Sequence, residues 1–227
     1  MISIVIPVLD EAANLERLLP TLDALSSGVE VILVDGGSAD DTARVAQRFP
    51  RVRVIASARG RARQMNVGAR RAGGDILLFL HADTRLPDGA LPAIATALRD
   101  PRVVGGRFDV RFDSSRPVFR MIAFFMNLRS RLSGICTGDQ AIFVRREVFE
   151  ALGGYPDVPL MEDIELSRRL KRRGKVVALR LRVVTSARKW EREGAFRTIV
   201  LMWTLRLLYA IGVSPARLHG WYYGSSR

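Results

Sequence analysis

The sequence predicts an α/β fold in which a mostly parallel central sheet is covered by helices on both faces. Short apolar runs alternate with helical patterns through the first half of the chain, the order that βαβ units require. The runs are apolar throughout rather than interrupted by polar residues, which indicates strands buried on both faces. Polar and acidic residues follow several runs, at the edge where open α/β sheets bind ligands.

Four strands and three helices are predicted for the first half. The strands are rich in β-branched residues, and the helices have apolar residues three and four positions apart. The strands cover residues 3–6, 30–34, 52–55 and 76–80, and the helices cover residues 12–25, 41–48 and 61–72.

The second half is less regular. Residues 106–112 alternate between apolar and charged side chains, which predicts a strand with one solvent-exposed face. A further strand is predicted for residues 140–145. The predicted helices cover residues 117–132, 147–152, 162–173 and 196–211.

Length and charge narrow the class of protein. The chain has 227 residues, which fits one domain with a small appendage, and a formal net charge of +13. Such a charge favours a phosphate-rich partner, namely a nucleotide, a nucleic acid or an anionic lipid surface, although a general bias towards arginine explains it equally well. A single cysteine, Cys136, excludes an internal disulfide and suits a cytoplasmic protein. Residues 198–213 are interrupted by Arg206, so a membrane-spanning helix is not expected there.

Five segments, in order, resemble the glycosyltransferases of family 2. The segments are SIVIPVLDEAANLERLL, VDGGSADDT, GRARQMNVGARRAGGDILLFLHADT, TGDQAIFVRREVFEALGGYPD and MEDIELSRRLKRRG, within residues 2–174. The resemblance implies a GT-A fold with a Rossmann-like sheet. It also implies inverting transfer of a sugar from a nucleotide-diphosphate sugar, most often a UDP-sugar, to a hydroxyl acceptor.

The resemblance assigns a set of residues to the nucleotide-sugar pocket. Carboxylates accept hydrogen bonds from base and ribose, glycines allow close approach, and arginines suit a diphosphate. The matching residues are Pro7, Asp10, Glu11, Asp35, Gly36, Gly37, Arg61, Arg63, Gln64 and Asp83. Residues 186–194 resemble in part a segment of processive members, and as a mobile loop they would bring Arg188, Lys189 and Trp190 over the diphosphate.

The stretch FLHADT matches the family's Asp-x-Asp motif, which binds a divalent metal between the donor phosphates. Here His81 replaces the first aspartate and Asp83 keeps the oxygen ligand. Imidazole suits Mn²⁺ better than Mg²⁺, so either metal is expected at Asp83. Whether His81 is a ligand or only a hydrogen-bonding neighbour is open.

The resemblance also assigns the chemistry of the second half. Asp163 matches the catalytic base, which takes the proton from the attacking hydroxyl, and Glu162 is its neighbour. The loop of Gly138, Asp139 and Gln140 matches the segment beside the acceptor. The structural alternative for the acidic pair is two carboxylates stabilised at a helix amino terminus.

The expected catalytic domain spans residues 1–190, with a nucleotide-sugar half of about 1–112 and an acceptor half of about 113–190. A helical tail, residues 191–227, carries Trp203, Tyr209, Trp221, Tyr222 and Tyr223 near arginines. It therefore favours peripheral contact with the inner face of the cell membrane and a lipid-like acceptor, with packing within the protein or in a homodimer as the alternative.

Three other functions remain to be weighed. A sugar nucleotidyltransferase would carry a Gly-rich basic loop after the first strand, where this chain has VLDEAAN. A nucleotide-sugar-binding or membrane-scaffold protein without turnover is kept open by the histidine in FLHADT. A nucleic-acid binder is not expected, because no reader motif accompanies the basic charge.

Overall fold

The computed structural model describes residues 1–25 and 28–224, except the side chains of Tyr223 and Gly224. The strands are β1 (Ile2–Val8), β2 (Val29–Asp35), β3 (Val52–Ala56), β4 (Ile76–Phe79), β5 (Thr84–Arg85), β6 (Val103–Phe112), β7 (Ile142–Arg145) and β8 (Lys175–Thr185). The helices are α1 (Ala12–Asp23), α2 (Thr42–Gln47), α3 (Arg61–Arg71), α4 (Ala90–Ala97), α5 (Pro117–Ser133), α6 (Arg146–Ala151), α7 (Glu162–Arg173), α8 (Arg188–Glu193), α9 (Ala195–Ala210) and α10 (Pro215–Gly224).

The strands form one sheet in the order β3-β2-β1-β4-β7-β6-β8-β5. β1 to β4 run parallel, as their continuous apolar sequences predict. β7 is antiparallel to β4 and β6, β8 runs parallel to β6, and β5 pairs antiparallel with β8. The predicted α/β class with a mostly parallel sheet is therefore confirmed.

Apolar side chains pack on both faces of the sheet. One large cluster joins β1, β6 and β7 to α1, α4 and α5, and a second cluster joins the strands to α3 and α7. A third, smaller cluster packs Leu205 of α9 and Leu218 of α10 against Met161 and Ile164, where α7 begins. The C-terminal helices therefore lie against the start of α7.

The predicted exposed face of β6 is wrong. Arg107 is 1% exposed and Asp109 is 8% exposed, because α5 covers this strand. Arg107 Nη1 donates to Asp109 Oδ1, and Arg131 Nη2 of α5 donates to Asp109 Oδ2 at 2.7 Å. Asn127 of α5 bonds the backbone N–H and C=O of Val110 with its side-chain amide. The charged positions of β6 thus serve its packing against a helix.

Three elements lie outside the sequence prediction. β8 is a long strand with no predicted counterpart, α4 is a further helix, and α8 takes the place of the expected mobile loop. The expected domain boundary after residue 190 falls inside α8, and Trp190 packs edge-to-face on Phe112 at 5.7 Å. The division of the chain at that residue remains a prediction. No described helix is long and apolar enough to cross a membrane.

Candidate active site

A hydrogen-bonded loop joins the carboxyl ends of β1 and β2. The N–H of Asp10 donates to Ser38 Oγ at 2.9 Å, and that hydroxyl donates to Asp35 Oδ1 at 2.6 Å. Asp10 Oδ1 accepts from the N–H of Ala39 at 2.7 Å. Asp10 holds a φ of 56°, a left-handed conformation that these bonds stabilise. The acidic residues predicted for the donor pocket therefore also fix its backbone.

Gln64 is buried beneath this loop. Its Nε2 donates to the carbonyls of Val8 at 2.7 Å and of Val34 at 2.9 Å, so one side chain joins the ends of β1 and β2. A Cβ on Gly36 would lie 3.0 Å from this amide, which explains the glycine. Gln64 thus supports the floor of the site, and its amide protons are already donated within the protein. Pro7 is half-buried in β1, and Gly37 turns the loop at a φ of 89°.

Two carboxylates face each other near the end of β4. Burial raises the pKa of Glu11, and the negative charge of Asp83 raises it further, while Asn14, Arg188 and His81 lower it. Asp83 also lines a cleft with Arg85, Asp113 and Ser186. A cation bound between Glu11 and Asp83 would relieve their repulsion.

His81 contacts the acceptor-side loop. Its Nδ1 lies 3.3 Å from Asp139 Oδ1, and its ring packs so closely on Gly138 that a Cβ there would lie 2.4 Å from Nε2. That Nε2 is buried without a hydrogen-bond partner among the described residues. Burial raises the pKa of Asp139, but His81, Arg61 and Lys189 outweigh it and lower the pKa overall. His81 therefore links the donor corner to the acceptor loop.

Asp163 lies in the first turn of α7 and faces the same loop. Its Oδ2 accepts from the N–H of Gly138 at 3.1 Å, and its Oδ1 accepts from the N–H of Ile164 at 2.7 Å. Burial and the negative charge of Glu162 raise its pKa to about 6, against the lowering effect of these bonds and of Arg61. A carboxylate with a pKa near neutrality is suited to exchanging a proton with a substrate.

The arginines of α3 point to different places. Arg61 Nη1 lies 3.5 Å from Glu162 Oε1, so it belongs to the group around Asp163. Arg63 Nε lies 2.8 Å from Asp157 Oδ1 in an exposed ion pair. The two residues were predicted together as donor contacts, but the structure brings only Arg61 to the acceptor-side carboxylates.

Gln140 is fully buried and supports the short 3-10 helix Gly138–Gln140. Its Oε1 accepts from the N–H of Thr137 at 3.1 Å, a capping-box contact. Gln140 therefore holds the acceptor-side loop in place, and Gly138 and Asp139 carry its exposed polar groups.

The C-terminal helix reaches the site through Tyr222. Lys189 Nζ donates to the hydroxyl of Tyr222 and lies 3.7 Å from the centre of its ring. Burial raises the pKa of Tyr222 to about 12, and Arg61, Asp139 and Glu162 are among the charges that act on it. Arg188 is exposed on α8. Lys189 thus lies at the site, whereas Trp190 belongs to the core.

Two residues near the site were not predicted to take part in it. Tyr222 was predicted only as an interfacial aromatic, and Arg129 only as one of several basic residues on a surface helix. Nε and Nη2 of Arg129 are buried near Asp163. Nothing in the local sequence distinguishes Arg129 from its basic neighbours on α5.

The fold and the ordered polar residues define a protein of the GT-A class. Residues 3–153 match the family model described as "Glycosyl transferase family 2", so the chain belongs to that family. A PGL/p-HBAD biosynthesis glycosyltransferase of Mycobacterium bovis is 33% identical over 68% of this chain and 63% of its own length. An undecaprenyl-phosphate 4-deoxy-4-formamido-L-arabinose transferase of Klebsiella pneumoniae is 31% identical over 66% of this chain and 50% of its own.

The chain spans only about half of the length of the first curated relatives it matches, for example 56% of the glycosyltransferase AglE of Haloferax volcanii. Solved structures support the fold. A mannosyltransferase of Pyrobaculum calidifontis in complex with GDP-Man and Mn²⁺ has a TM-score of 0.65 at 24% identity, covering 81% of this chain and 56% of its own. S. aureus TarS 1-349 has a TM-score of 0.67 at 17% identity, covering 96% and 68%.

Proposed function

We propose that the protein is an inverting glycosyltransferase that moves a sugar from a nucleotide-diphosphate sugar, a UDP-sugar first among the candidates, to an acceptor hydroxyl. Family membership supports the class of reaction. The observation that carries the proposal is Asp163, whose pKa is raised to about 6 at the start of α7, beside the acceptor-side loop.

Asp163 is the proposed general base. As the acceptor oxygen bonds to the anomeric carbon and the bond to the diphosphate breaks, Asp163 takes the hydroxyl proton. The N–H groups of Gly138 and Ile164 fix the orientation of its carboxylate. Glu162 is paired with Arg61 and acts through charge, since it keeps the pKa of Asp163 high.

Asp83 is the proposed metal ligand, with Glu11 as its nearest carboxylate. The described residues contain no cluster of three or more His, Cys, Asp and Glu side chains that would hold a metal alone. One or two carboxylates together with substrate phosphates are a usual way of holding Mg²⁺, and Mn²⁺ takes the same oxygen ligands. Such a metal would neutralise charge on the departing diphosphate. We assign His81 to the contact with Asp139 rather than to the metal.

The remaining donor contacts are proposed according to their surroundings. Asp35 and Asp10 lie at the strand ends where base and ribose bind in this fold, and Gly37 keeps the loop low. Arg61, Lys189 and Arg188 supply positive charge for the phosphates. Because Arg63, Gln64, Gln140 and Trp190 are engaged in ion pairing or packing, we give them no substrate contact.

A lipid-linked acceptor at a membrane is the proposed destination of the sugar. The relatives named as undecaprenyl-phosphate transferases support such an acceptor. Apolar residues on one face of α9 and just beyond it are exposed, and they are Phe196, Val200, Trp203, Leu207 and Ile211. A second exposed stripe on α5 comprises Met121, Phe124, Phe125, Leu128 and Leu132.

These two stripes and the charge of +13 suit the anionic cytoplasmic face of a membrane better than a second, equally charged copy of the chain. Co-sedimentation with vesicles of phosphatidylglycerol, compared with phosphatidylcholine, measures the contact. Trp203→Ser should weaken it. Dimerisation without vesicle binding would refute the membrane contact.

A donor panel tests the proposed function. Thermal unfolding is measured with UDP, GDP and dTDP and their sugars, each with Mn²⁺, Mg²⁺ or neither. We expect one nucleotide series to stabilise the protein in a metal-dependent manner, and Asp83→Ala to remove the metal dependence. Sugar release to water or to an acceptor then measures turnover. Nucleotide binding without any turnover would indicate a binding protein instead.

A further inference from the structure

Three arginines lie close together beneath and within α5, and one of them differs from the others. Arg107 and Arg131 share the carboxylate of Asp109. Arg129 Nε and Nη2 are buried but have no hydrogen-bond partner among the described residues. A buried guanidinium without a partner opposes folding, because the charge loses its hydration and gains nothing in exchange.

The unpartnered atoms are on the edge of the guanidinium that recognises anions. Nε and Nη2 point the same way and together match two oxygens of a phosphate or a carboxylate. Arg102 in this protein binds Asp100 by that edge, with Nε and Nη2 at 3.0 and 3.1 Å from its oxygens. In Arg129 the same edge is available for a ligand.

The surroundings of Arg129 connect it to the acceptor side. Burial lowers its pKa; among the nearby charges Asp163 and Asp139 raise it and Arg107 lowers it. The guanidinium therefore lies among the residues around the proposed base. Asp163 and Asp139 attract cations, so an anion bound here must be held by direct hydrogen bonds, which the free edge of Arg129 provides.

We propose that Arg129 binds a phosphate group carried by the acceptor and thereby selects phosphorylated acceptors over neutral alcohols. The inference rests on the proposed function, because it names the class of its acceptor, but it concerns binding and includes no transfer step. The relatives named as undecaprenyl-phosphate transferases are consistent with this class of acceptor.

The test measures binding without turnover. Affinities for farnesyl phosphate, farnesol and inorganic phosphate are measured by calorimetry on the full chain. We expect the wild type to prefer farnesyl phosphate to farnesol, with inorganic phosphate competing. Arg129→Gln should weaken farnesyl phosphate binding by roughly 10- to 100-fold, the range for hydrogen bonds to a charged group, and leave farnesol unchanged. Arg129→Lys should weaken it less, because the charge remains.

Arg120→Gln is the matched control, since it removes the same charge from an exposed position on the same helix. An equal loss in this variant would mean general electrostatic attraction and would overturn the assignment, as would equal binding of the phosphate and the alcohol. Loss of UDP or GDP affinity instead of farnesyl phosphate affinity would assign Arg129 to the donor and also overturn it.

Arg129→Met provides a second readout. If the arginine is kept for a ligand, this variant loses phosphate selectivity while its melting temperature stays level or rises. A marked fall in the melting temperature with selectivity retained would indicate a structural role. Selectivity retained together with no transferase activity in the wild type would refute the proposed function and leave the phosphate site standing.

Discussion

The donor side and the acceptor side of the candidate site use their carboxylates in different ways. At the ends of β1 and β2, Asp10 and Asp35 accept hydrogen bonds from Ala39 and Ser38 in the adjoining loop. At the start of α7, Asp163 also accepts two backbone hydrogen bonds, but burial and Glu162 raise its pKa. The first arrangement fixes the shape of a pocket, whereas the second keeps one carboxylate ready to take a proton.

This difference predicts where substitutions affect activity and where they affect stability. Changes on the acceptor side should alter the rate of transfer more than the fold. Changes beneath the donor loop should alter stability first and ligand affinity only as a consequence. The predictions below test the two sides in turn, from the largest expected effect to the smallest.

Asp163→Asn should have the largest effect. Asparagine keeps an oxygen for the N–H of Gly138 but takes up no proton, so we expect kcat to fall by roughly 10²- to 10⁴-fold, the usual contribution of a general base. Nucleotide affinity should stay within a few-fold of the wild type. Steady-state kinetics with the donor found in the panel measure both. Undiminished transfer would exclude Asp163 as the base.

The pH dependence of activity should follow the same group. Because the pKa of Asp163 is about 6, the rate should fall as the pH drops below that value, when the base becomes protonated. Rates measured from pH 5 to 8 test this. A rate that is flat across this range would mean that another group, or a step other than proton transfer, limits the reaction.

Stability should change with pH in the opposite direction. The folded-state pKa of Asp163 lies above its ordinary value of 3.8, so the folded chain holds the proton more tightly than the unfolded chain. Its contribution to stability is therefore lost as the pH rises from about 4 through 6. Asp163→Asn should accordingly melt higher than the wild type at pH 7.5 and level with it at pH 4. This comparison separates a loss of activity from a loss of fold.

The sequence predicted the parts of the molecule that local patterns determine. Continuous apolar runs identified β1 to β4, and the MED motif identified Asp163. β8 was missed because its exposed positions carry Arg180 and Arg182, and pairing with β6 decides its conformation. The partners of Gln64 are two carbonyls on separate strands, and the inward direction of Arg129 depends on how α5 packs. Neither is encoded in neighbouring residues.

Gln64→Ala should destabilise the fold. It leaves the carbonyls of Val8 and Val34 buried without their donor, which costs about 2 to 3 kcal/mol in the free energy of unfolding. Urea denaturation measures the loss, and Gln64→Met is the control that restores the volume without the hydrogen bonds. Unchanged stability in both variants, with weaker donor binding, would instead make Gln64 a ligand contact.

Arg63→Ala should have the smallest effect, although the family resemblance places Arg63 beside Arg61 in the donor pocket. Both partners of the Arg63–Asp157 pair are more than half exposed, so solvent screens their attraction and the pair adds little to stability. Nucleotide affinity should be unchanged, whereas Arg61→Ala should lower the pH at which the rate falls only if Arg61 ceases to oppose Glu162 less than expected; the physical sign is the reverse, because Arg61 lowers the pKa of Asp163 and its removal should move the fall in rate to higher pH. Calorimetry with the nucleotide and the pH–rate profile of both variants separate the two arginines. Weaker nucleotide binding in Arg63→Ala alone would return Arg63 to the donor pocket.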